Sequence, residues 1–428
     1  MAAAPAEDRG VPLEAEVASW LEANWNPDLS VEAWWRLVAQ EGWTASHFPS
    51  GRGGRGLPRS ADKVVRDAFA KHGALRPPGG LGLLLAAPTI LKHGTQAQVD
   101  RFVVPILEGR AGWAQLFSEP GAGSDLAGLG TRAVRDGDTW KITGQKVWSS
   151  MAMEADFGML LARTDSDVPK HAGISWFVIK LDQPGVTIRP LREMTGEAVF
   201  NEVFLEDAIC EHADIIGAEN DGWNVTQSTL FFERTAIGAG GNVADFPKPG
   251  PKGGMLGMRA GDAAKIPPPV IDKVLPFDDL VALARRRGKL ADPLVRQKLA
   301  RLWSYRQVGT WNAMRIKEES KSGGGAAVSS VSKIAQTRIV KLSAEIAVDV
   351  LGADALLADE DGIEGGRFVN AFLFAPASSI YGGSDEIQRN IAAERTLGLP
   401  RDHAPDKGLS FSESLRQREG AKADRVRT

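Results

Sequence analysis

Residues Gln115–Asp125 read QLFSEPGAGSD, and Trp140–Ser150 read WKITGQKVWSS. In the first stretch Ser118, Gly121, Gly123 and Ser124 set small hydroxyl-bearing and glycine positions around a rigid Pro120. Nothing bulky stands in such a run, so backbone N–H groups and two hydroxyls can approach a flat polar ligand. The spacing is not a dinucleotide fingerprint. GAGSDLAG has the wrong glycine interval and leads into an Asp-Gly hairpin instead of opening a helix after a strand. Taken alone, the eleven residues of the first stretch read as a glycine-rich surface loop, and the neighbouring chain decides the matter.

Downstream, RAVRDGDTWKITGQKVW predicts a hairpin about Asp136-Gly137. Period-two segments follow at Phe157–Thr164, Ile174–Leu181, Val186–Leu191 and Asn201–Cys210, which predicts a compact β domain over 113–222. Upstream, 1–112 is helical: Leu13, Val17, Trp20 and Leu21 recur at helix spacing, as do Trp34, Trp35, Leu37 and Val38. Leu81–Gly94 reads as a buried helix stopped by glycine, and QAQVDRFVVPILEG as another that crosses Pro105. Helical spacing returns at Asn224–Gly241, Asp278–Gly288, Pro293–Ser322, Ala326–Leu351 and Asp385–Leu397, the last closed by Gly398 with Pro400 beyond. These make a C-terminal helical domain over 223–402. It is interrupted by Asn242–Pro276, whose prolines and glycines are too many for an ordinary connection; the segment reads as mobile, with a functional lid as the alternative. Residues 403–428 form a charged tail, frayed from Phe411 onward. The fold class is mostly α with a central β domain.

The 51 basic and 54 acidic residues give a net charge of -3, against the basic balance of a nucleic-acid binder. The single cysteine, Cys210, excludes an internal disulfide framework, and the six histidines lack metal-ligand spacing, so no metal is expected. The N-terminal MAAAPAEDRGVPLEAEV has no apolar core of a secretory signal, and no run of eighteen apolar residues occurs. The expectation is a soluble cytoplasmic protein that neither crosses nor binds a membrane.

At QLFSEPGAGSDLAG, KITGQKVWSS and IYGGSDEIQRNIAAERTLGLPR (Ile380–Arg401) the chain closely resembles the acyl-CoA dehydrogenase family, in the family's own order and over roughly 31–401. The resemblance implies an N-terminal α-helical domain, a β-barrel-like middle domain and a C-terminal four-helix bundle, with FAD between the last two. It implies that Gln115, Phe117, Ser118 and Gly123 belong to the cofactor site, Phe117 and Ser118 facing the flavin ring. Trp148 would pack on the flavin, and Ser150 would hydrogen-bond near N5. Ser124 would lie along the cofactor and the CoA arm. Ser384 and Glu386 would meet the phosphate and ribose region, where a helix N-terminus suits negative charge. Ser384 also reads as the simple N-cap of its helix, and both roles can hold together.

Dehydrogenation α,β to a thioester needs a base for the α-proton and an acceptor for the β-hydride. Many family members place a glutamate directly after the tyrosine of the last motif, but here Ile380-Tyr381-Gly382-Gly383 puts glycine there. A second family arrangement carries the glutamate on the first helix of the C-terminal domain, and LFFERTAIG supplies Glu233. A carboxylate among Phe231 and Phe232 loses solvation, which raises its pKa towards the range of a useful base. The ordinary alternative makes Glu233–Arg234 an exposed helical pair, but an unpaired charge on an apolar stretch needs a reason to be there. Glu233 is therefore the expected base, with Phe231 and Arg234 beside the substrate and the Gly382 N–H on the thioester oxygen.

In homotetrameric relatives a neighbouring subunit lends an Arg-x-x-Phe segment and a glycine loop to the FAD. Here ARRRGKLADPLVRQ (Ala284–Gln297) keeps arginines, Arg286 among them, without the phenylalanine, and DVLGADALL (Asp349–Leu357) keeps only Gly352. An aspartate beside a pyrophosphate would repel it. This resembles the hetero-oligomeric branch and implies an α2β2 assembly with a second acyl-CoA dehydrogenase-like chain; a homo-oligomer with a divergent loop is the alternative. The implied electron acceptor is an electron-transferring flavoprotein. Glycines 238, 240 and 241 leave room for a bulky acyl group such as a steroid side chain. Three rival functions are an acyl-CoA oxidase, separable by oxygen consumption, a family flavoprotein acting on something other than a CoA ester, and a non-catalytic or FAD-sharing subunit, in which Glu233→Gln would leave the complex active.

Overall fold

The computed structural model describes residues 12–238, 247–267, 274–320, 326–401, 404 and 406–417. The chain forms two compact units, one of residues 1–191, 198–269 and 406–428, the other of 192–197 and 270–405.

The first unit begins with α1 (Leu13–Asn24), α2 (Val31–Gln40) and α3 (Ala61–His72). Their apolar faces bury Val17, Leu21, Trp34, Trp35, Val65 and Phe69 in one core. Both central indoles keep a partner, Trp34 donating to the Leu75 carbonyl at 2.8 Å and Trp35 to that of Arg76 at 2.9 Å. Two further helical stretches each carry an internal proline. Pro88 opens α4 (Ala87–His93), and Pro105 lies in α6 (Val104–Leu107), which follows the capped turn α5 (Gln96–Gln98). A proline has no N–H for the preceding turn. In both places that turn widens into a π-turn, Gly82–Ala86 and Val99–Val103, and the helix runs on. The helix expected to cross Pro105 does so by this device.

The sheet contains β1 (Trp113–Leu116), β2 (Arg132–Asp136), β3 (Thr139–Ser150), β4 (Phe157–Arg163), β5 (Ile174–Lys180), β6 (Val186–Leu191) and β7 (Phe200–Glu211). Their order is β1-β4-β2-β3-β7-β6, with β5 also on β4. Strands β4 and β5 read as continuous apolar runs because both faces are covered. Met159, Leu161, Trp176 and Val178 face a core shared with the helices. Leu160, Ala162, Phe177 and Ile179 face a second core inside the sheet. Short β1, which pairs parallel to β4, was not legible as a strand. Helix α7 (Gly222–Gly238) joins the first of these cores through Val225, with Trp223, Leu230 and Phe232 packed against it.

Part of the segment expected to be mobile is packed. Lys248 pairs with Glu154 at 2.6 Å, and Lys252 donates to the Ala155 carbonyl at 3.1 Å. The carbonyls of Met258 and Leu256 accept from the N–H groups of Val31 and Glu32, at 2.9 and 3.1 Å. These donors open α2 and have no partner within the helix. Short α8 (Ala260–Ala263) then buries Ala260 and Ala263 in the tryptophan core. Residues 242–246 and 268–273 of the segment, with Gly240 and Gly241, lie outside the described residues. The tail is a second departure: residues 411–417 are helical, and Phe411 is buried.

The second unit holds α9 (Phe277–Arg286), α10 (Pro293–Ser320), α11 (Ala326–Leu351), α12 (Arg367–Phe374) and α13 (Asp385–Ile391). Leu280, Leu283, Leu302, Ile346 and Phe368 share its core. Among the described residues no helix is long and apolar enough to cross a membrane.

Ala260→Asp would set an unpaired charge in the tryptophan core. The expected outcome is faster proteolytic cleavage within 247–267, with the folded β domain retained by circular dichroism; an unchanged cleavage rate would contradict this docking.

Candidate active site

Strand β1 ends at Leu116, and the chain leaves the sheet at Phe117 to run through the glycine-rich stretch. Two buried cations hold its course. Lys146, fully buried on β3, donates to the Phe117 carbonyl at 3.1 Å and to Glu119 Oε1 at 2.8 Å. Glu119 also accepts from the backbone N–H groups of Gly130 and Thr131, at 2.7 and 2.9 Å. Burial alone would raise the Glu119 pKa, but the Lys146 ammonium and these hydrogen bonds outweigh it, so the carboxyl titrates below its usual range. Arg163, at the end of β4, donates through Nε to the Leu129 carbonyl at 3.1 Å and through a terminal nitrogen to that of Ala127 at 2.7 Å. Both ends of the stretch are thereby fixed. Its middle is open: a Cβ added at Gly121 or Gly123 would meet nothing within 4 Å.

The expected residues fall into two sets. In the first unit Gln115 is partly buried on β1 and Phe117 is buried. Ser118 is half-buried and Ser124 is exposed. The Ser118 carbonyl accepts from the Val147 N–H at 2.9 Å, which ties the stretch to β3 just before Trp148. There the pairing of β3 with β7 slips between Lys146 and Ser149. Trp148 has φ 60 and is 57% exposed, its ring meeting Phe200 edge-on at 5.7 Å. A bulky residue in the left-handed region is strained, and such strain gathers where a side chain must be aimed. The bulge turns the indole outward, and pairing resumes so that Ser150 lies opposite Phe200.

Helix α7 brings Glu233 to Gln115, whose side-chain amide donates to Glu233 Oε2 at 3.2 Å. Glu233 keeps part of its surface exposed, yet enough protein surrounds the carboxyl that desolvation raises its pKa. The Gln115 hydrogen bond and the Arg234 charge pull the other way and only partly offset this. Phe231 is 56% exposed and meets Phe232 edge-on, while Arg234 lies at the surface.

In the second unit Ser384 caps α13, accepting from the Ile387 N–H at 3.3 Å. Glu386 pairs with Arg389 at 3.2 Å. Gly382 takes φ 65, and its carbonyl accepts from Gln388 at 3.0 Å. Arg286 pairs with Glu364, Arg287 with Asp354 and Lys298 with Asp349, all inside this unit.

Reading from sequence missed Lys146, Glu119 and Arg163 as the residues that shape the site. A signal for the first was present: period two on β3 places Lys146 on the face of Ile142, where an apolar residue belongs.

The first unit thus holds a desolvated carboxylate against the strand that leads into an open glycine stretch, with an outward indole beside it. The acyl-CoA dehydrogenase N-terminal, middle and C-terminal domains match residues 3–110, 114–208 and 275–397. Acyl-CoA dehydrogenase IpdE1 of Mycobacterium tuberculosis is 38% identical over 375 residues, covering 86% of this chain and 88% of that one. The solved Tcur3481-Tcur3483 steroid ACAD is 26% identical with TM-score 0.69, covering 91% of this chain and 97% of that one. The ChsE4-ChsE5 complex from Mycobacterium tuberculosis is 26% identical with TM-score 0.66, covering 94% and 100%. This chain belongs to the acyl-CoA dehydrogenase family. Its reaction is the dehydrogenation of an acyl-CoA thioester, and its family implies a flavin. The exposed indole, the two serines and the open glycines fit such a flat polar group.

Glu119→Ala would leave Lys146 buried without its counter-charge. The expected loss is about 3–5 kcal/mol of stability, read from urea unfolding; Lys146→Met, which removes the buried cation itself, is expected to cost less.

Proposed function

We propose that this chain dehydrogenates a bulky acyl-CoA to the 2-enoyl-CoA, with Glu233 as the base that removes the α-proton and FAD as the bound flavin. The observation that carries this reading is the Gln115–Glu233 contact: the strand that leads into the glycine-rich stretch holds a desolvated carboxylate by a neutral donor. Desolvation destabilises the ionised form, so the carboxylate is a stronger base than one in water. Gln115 fixes one carboxylate oxygen and leaves the group ionisable. Gly382 carries no acid that could compete. Its backbone N–H is the donor that the family resemblance implies for a thioester oxygen, where negative charge grows as an α-proton leaves. Ser124, with Phe231 and Arg234, is assigned to the acyl-CoA.

FAD, when bound, supplies the two-electron acceptor for the β-hydrogen. Gln115, Phe117, Ser118, Gly123, Ser124, Trp148 and Ser150 would hold it from the first unit, the outward indole covering one face of the ring. The resemblance also names Ser384, Glu386 and Arg286 as cofactor residues, and the electrons would pass on to an electron-transferring flavoprotein.

The ion pairs of the second unit favour a partner chain. The aspartates at the positions by which a neighbour's FAD would be reached, Asp349 and Asp354, are matched to Lys298 and Arg287 of their own unit, which supports an α2β2 assembly. The steroid substrate of one structural neighbour and the two-chain make-up of both support the bulky substrate and the hetero-oligomer by analogy.

The base must be ionised, so kcat/KM should fall as the pH drops through a pKa above the ordinary glutamate value of 4.5. Gln115→Ala removes a hydrogen bond that lowers this pKa and should move the acid limb to higher pH. Glu233→Gln should remove the limb and cut the rate roughly 10²–10⁴-fold. A Glu233→Gln enzyme that still bleaches its flavin with acyl-CoA would refute the assignment. For the assembly, the chain co-expressed with its partner should hold more flavin than the chain alone; full occupancy in a stable homo-oligomer would refute the α2β2 reading.

A further inference from the structure

The tail beyond the family's C-terminal domain, which ends at 397, returns to the first unit. Residues 411–417 form about two turns of helix against the strip 165–170, between β4 and β5. The Phe411 N–H donates to the Val168 carbonyl and the Ser412 N–H to that of Ser166, both at 2.9 Å. Ser410 bridges to Pro169, and the Ser412 hydroxyl donates to Asp167 at 3.1 Å.

Two contacts carry this docking through to the glycine-rich stretch. The Lys170 ammonium lies between two carboxylates, donating to both oxygens of Asp125 at 3.0 and 3.1 Å and to Asp406 at 2.8 Å. Asp125 is the residue after Ser124. The Phe411 ring lies 3.6 Å from the guanidinium carbon of Arg163, the cation that fixes the Ala127 and Leu129 carbonyls. Arg163 is 2% exposed and Phe411 is 6% exposed, so this stacking is shielded from water. The tail therefore reaches the C-terminal end of the stretch through two intermediaries, Lys170 at Asp125 and Arg163 at the Ala127 and Leu129 carbonyls.

We propose that residues 406–417 act as a strap that positions Ser124 for the acyl-CoA, with Lys170 as the positioning residue that couples strap to loop. The proposal rests on Ser124 as a substrate contact. Lys170 touches neither substrate nor flavin. Its work is to hold Asp125 at the distance that Asp406 sets, so that the exposed Ser124 hydroxyl does not have to be ordered at the moment of binding.

The test uses full-length Lys170→Met, Lys170→Arg, Phe411→Ala and Ser124→Ala in the assembled, flavin-loaded enzyme. Steady-state KM and kcat are measured alongside amide hydrogen exchange over 119–131. For Lys170→Met and Phe411→Ala the expected result is faster exchange in 119–131 and a KM raised about tenfold with kcat within about twofold. Lys170→Arg, which can still bridge two carboxylates, should return KM to within about threefold of the parent. A residue that only stabilised the fold would lower the melting temperature without this KM change. Unchanged exchange in both Lys170→Met and Phe411→Ala overturns the strap, as does an unchanged KM in these variants when Ser124→Ala raises it. If Ser124→Ala itself leaves KM unchanged, the substrate role of Ser124 is what fails, and the strap stands or falls on the exchange data.

Discussion

A lysine ammonium with no exposed surface is the constraint on which the active-site half of this chain depends. Removing the charge of Lys146 from water is costly, and the cost is offset only where a counter-charge and good hydrogen bonds meet the ammonium. Glu119 and the Phe117 carbonyl meet that need, and Glu119 in turn gathers the N–H groups of Gly130 and Thr131. One buried ion pair thus fixes where the glycine-rich stretch begins and where it returns, while the glycines between remain unfilled. The arrangement trades burial energy for position. A stretch this poor in side chains could not hold a single course through its own packing.

The helices obey a related logic. Pro88 and Pro105 each remove a backbone donor, and each is absorbed by one wide turn instead of a break. Keeping these helices continuous keeps their apolar faces on the core that also receives α7. From α4, the buried Thr89 hydroxyl meets Thr229 at 3.0 Å, one helical turn before Glu233. The glutamate is held from below by packing and from the side by Gln115, which makes it a fixed group on a rigid element.

Most of the fold was legible because its signals are local. Val186–Leu191 and Ala326–Leu351 run as periodicity says, and the Asp136-Gly137 hairpin closes where that dipeptide stands. What escaped were elements defined by partners far along the chain. Strand β1 has four residues and exists because β4 lies beside it, and the docking of 247–267 depends on donors at Val31 and Glu32. The tail looked merely charged because the partner of Phe411 is an arginine almost 250 residues away, a distance no periodicity can span. At the candidate site, the desolvation of Glu233 was legible from its aromatic neighbours. Gln115 as its hydrogen-bond donor was not, because a strand and a helix 118 residues apart meet only in three dimensions.

The packing of 247–267 and 406–417 onto the first unit also bears on how the chain acquires its shape. Helix α2 cannot satisfy its opening N–H groups with protein partners until Leu256 and Met258 have been made. The Arg163 guanidinium waits longer, since Phe411 is synthesised only after the whole helical part of the second unit. Contacts of such long sequence separation carry a large loop-closure entropy and form late. During synthesis the first unit is therefore expected to stay open beneath the glycine-rich stretch while the second unit emerges. The order in which the chain leaves the ribosome makes the catalytic half the last part of the molecule to close.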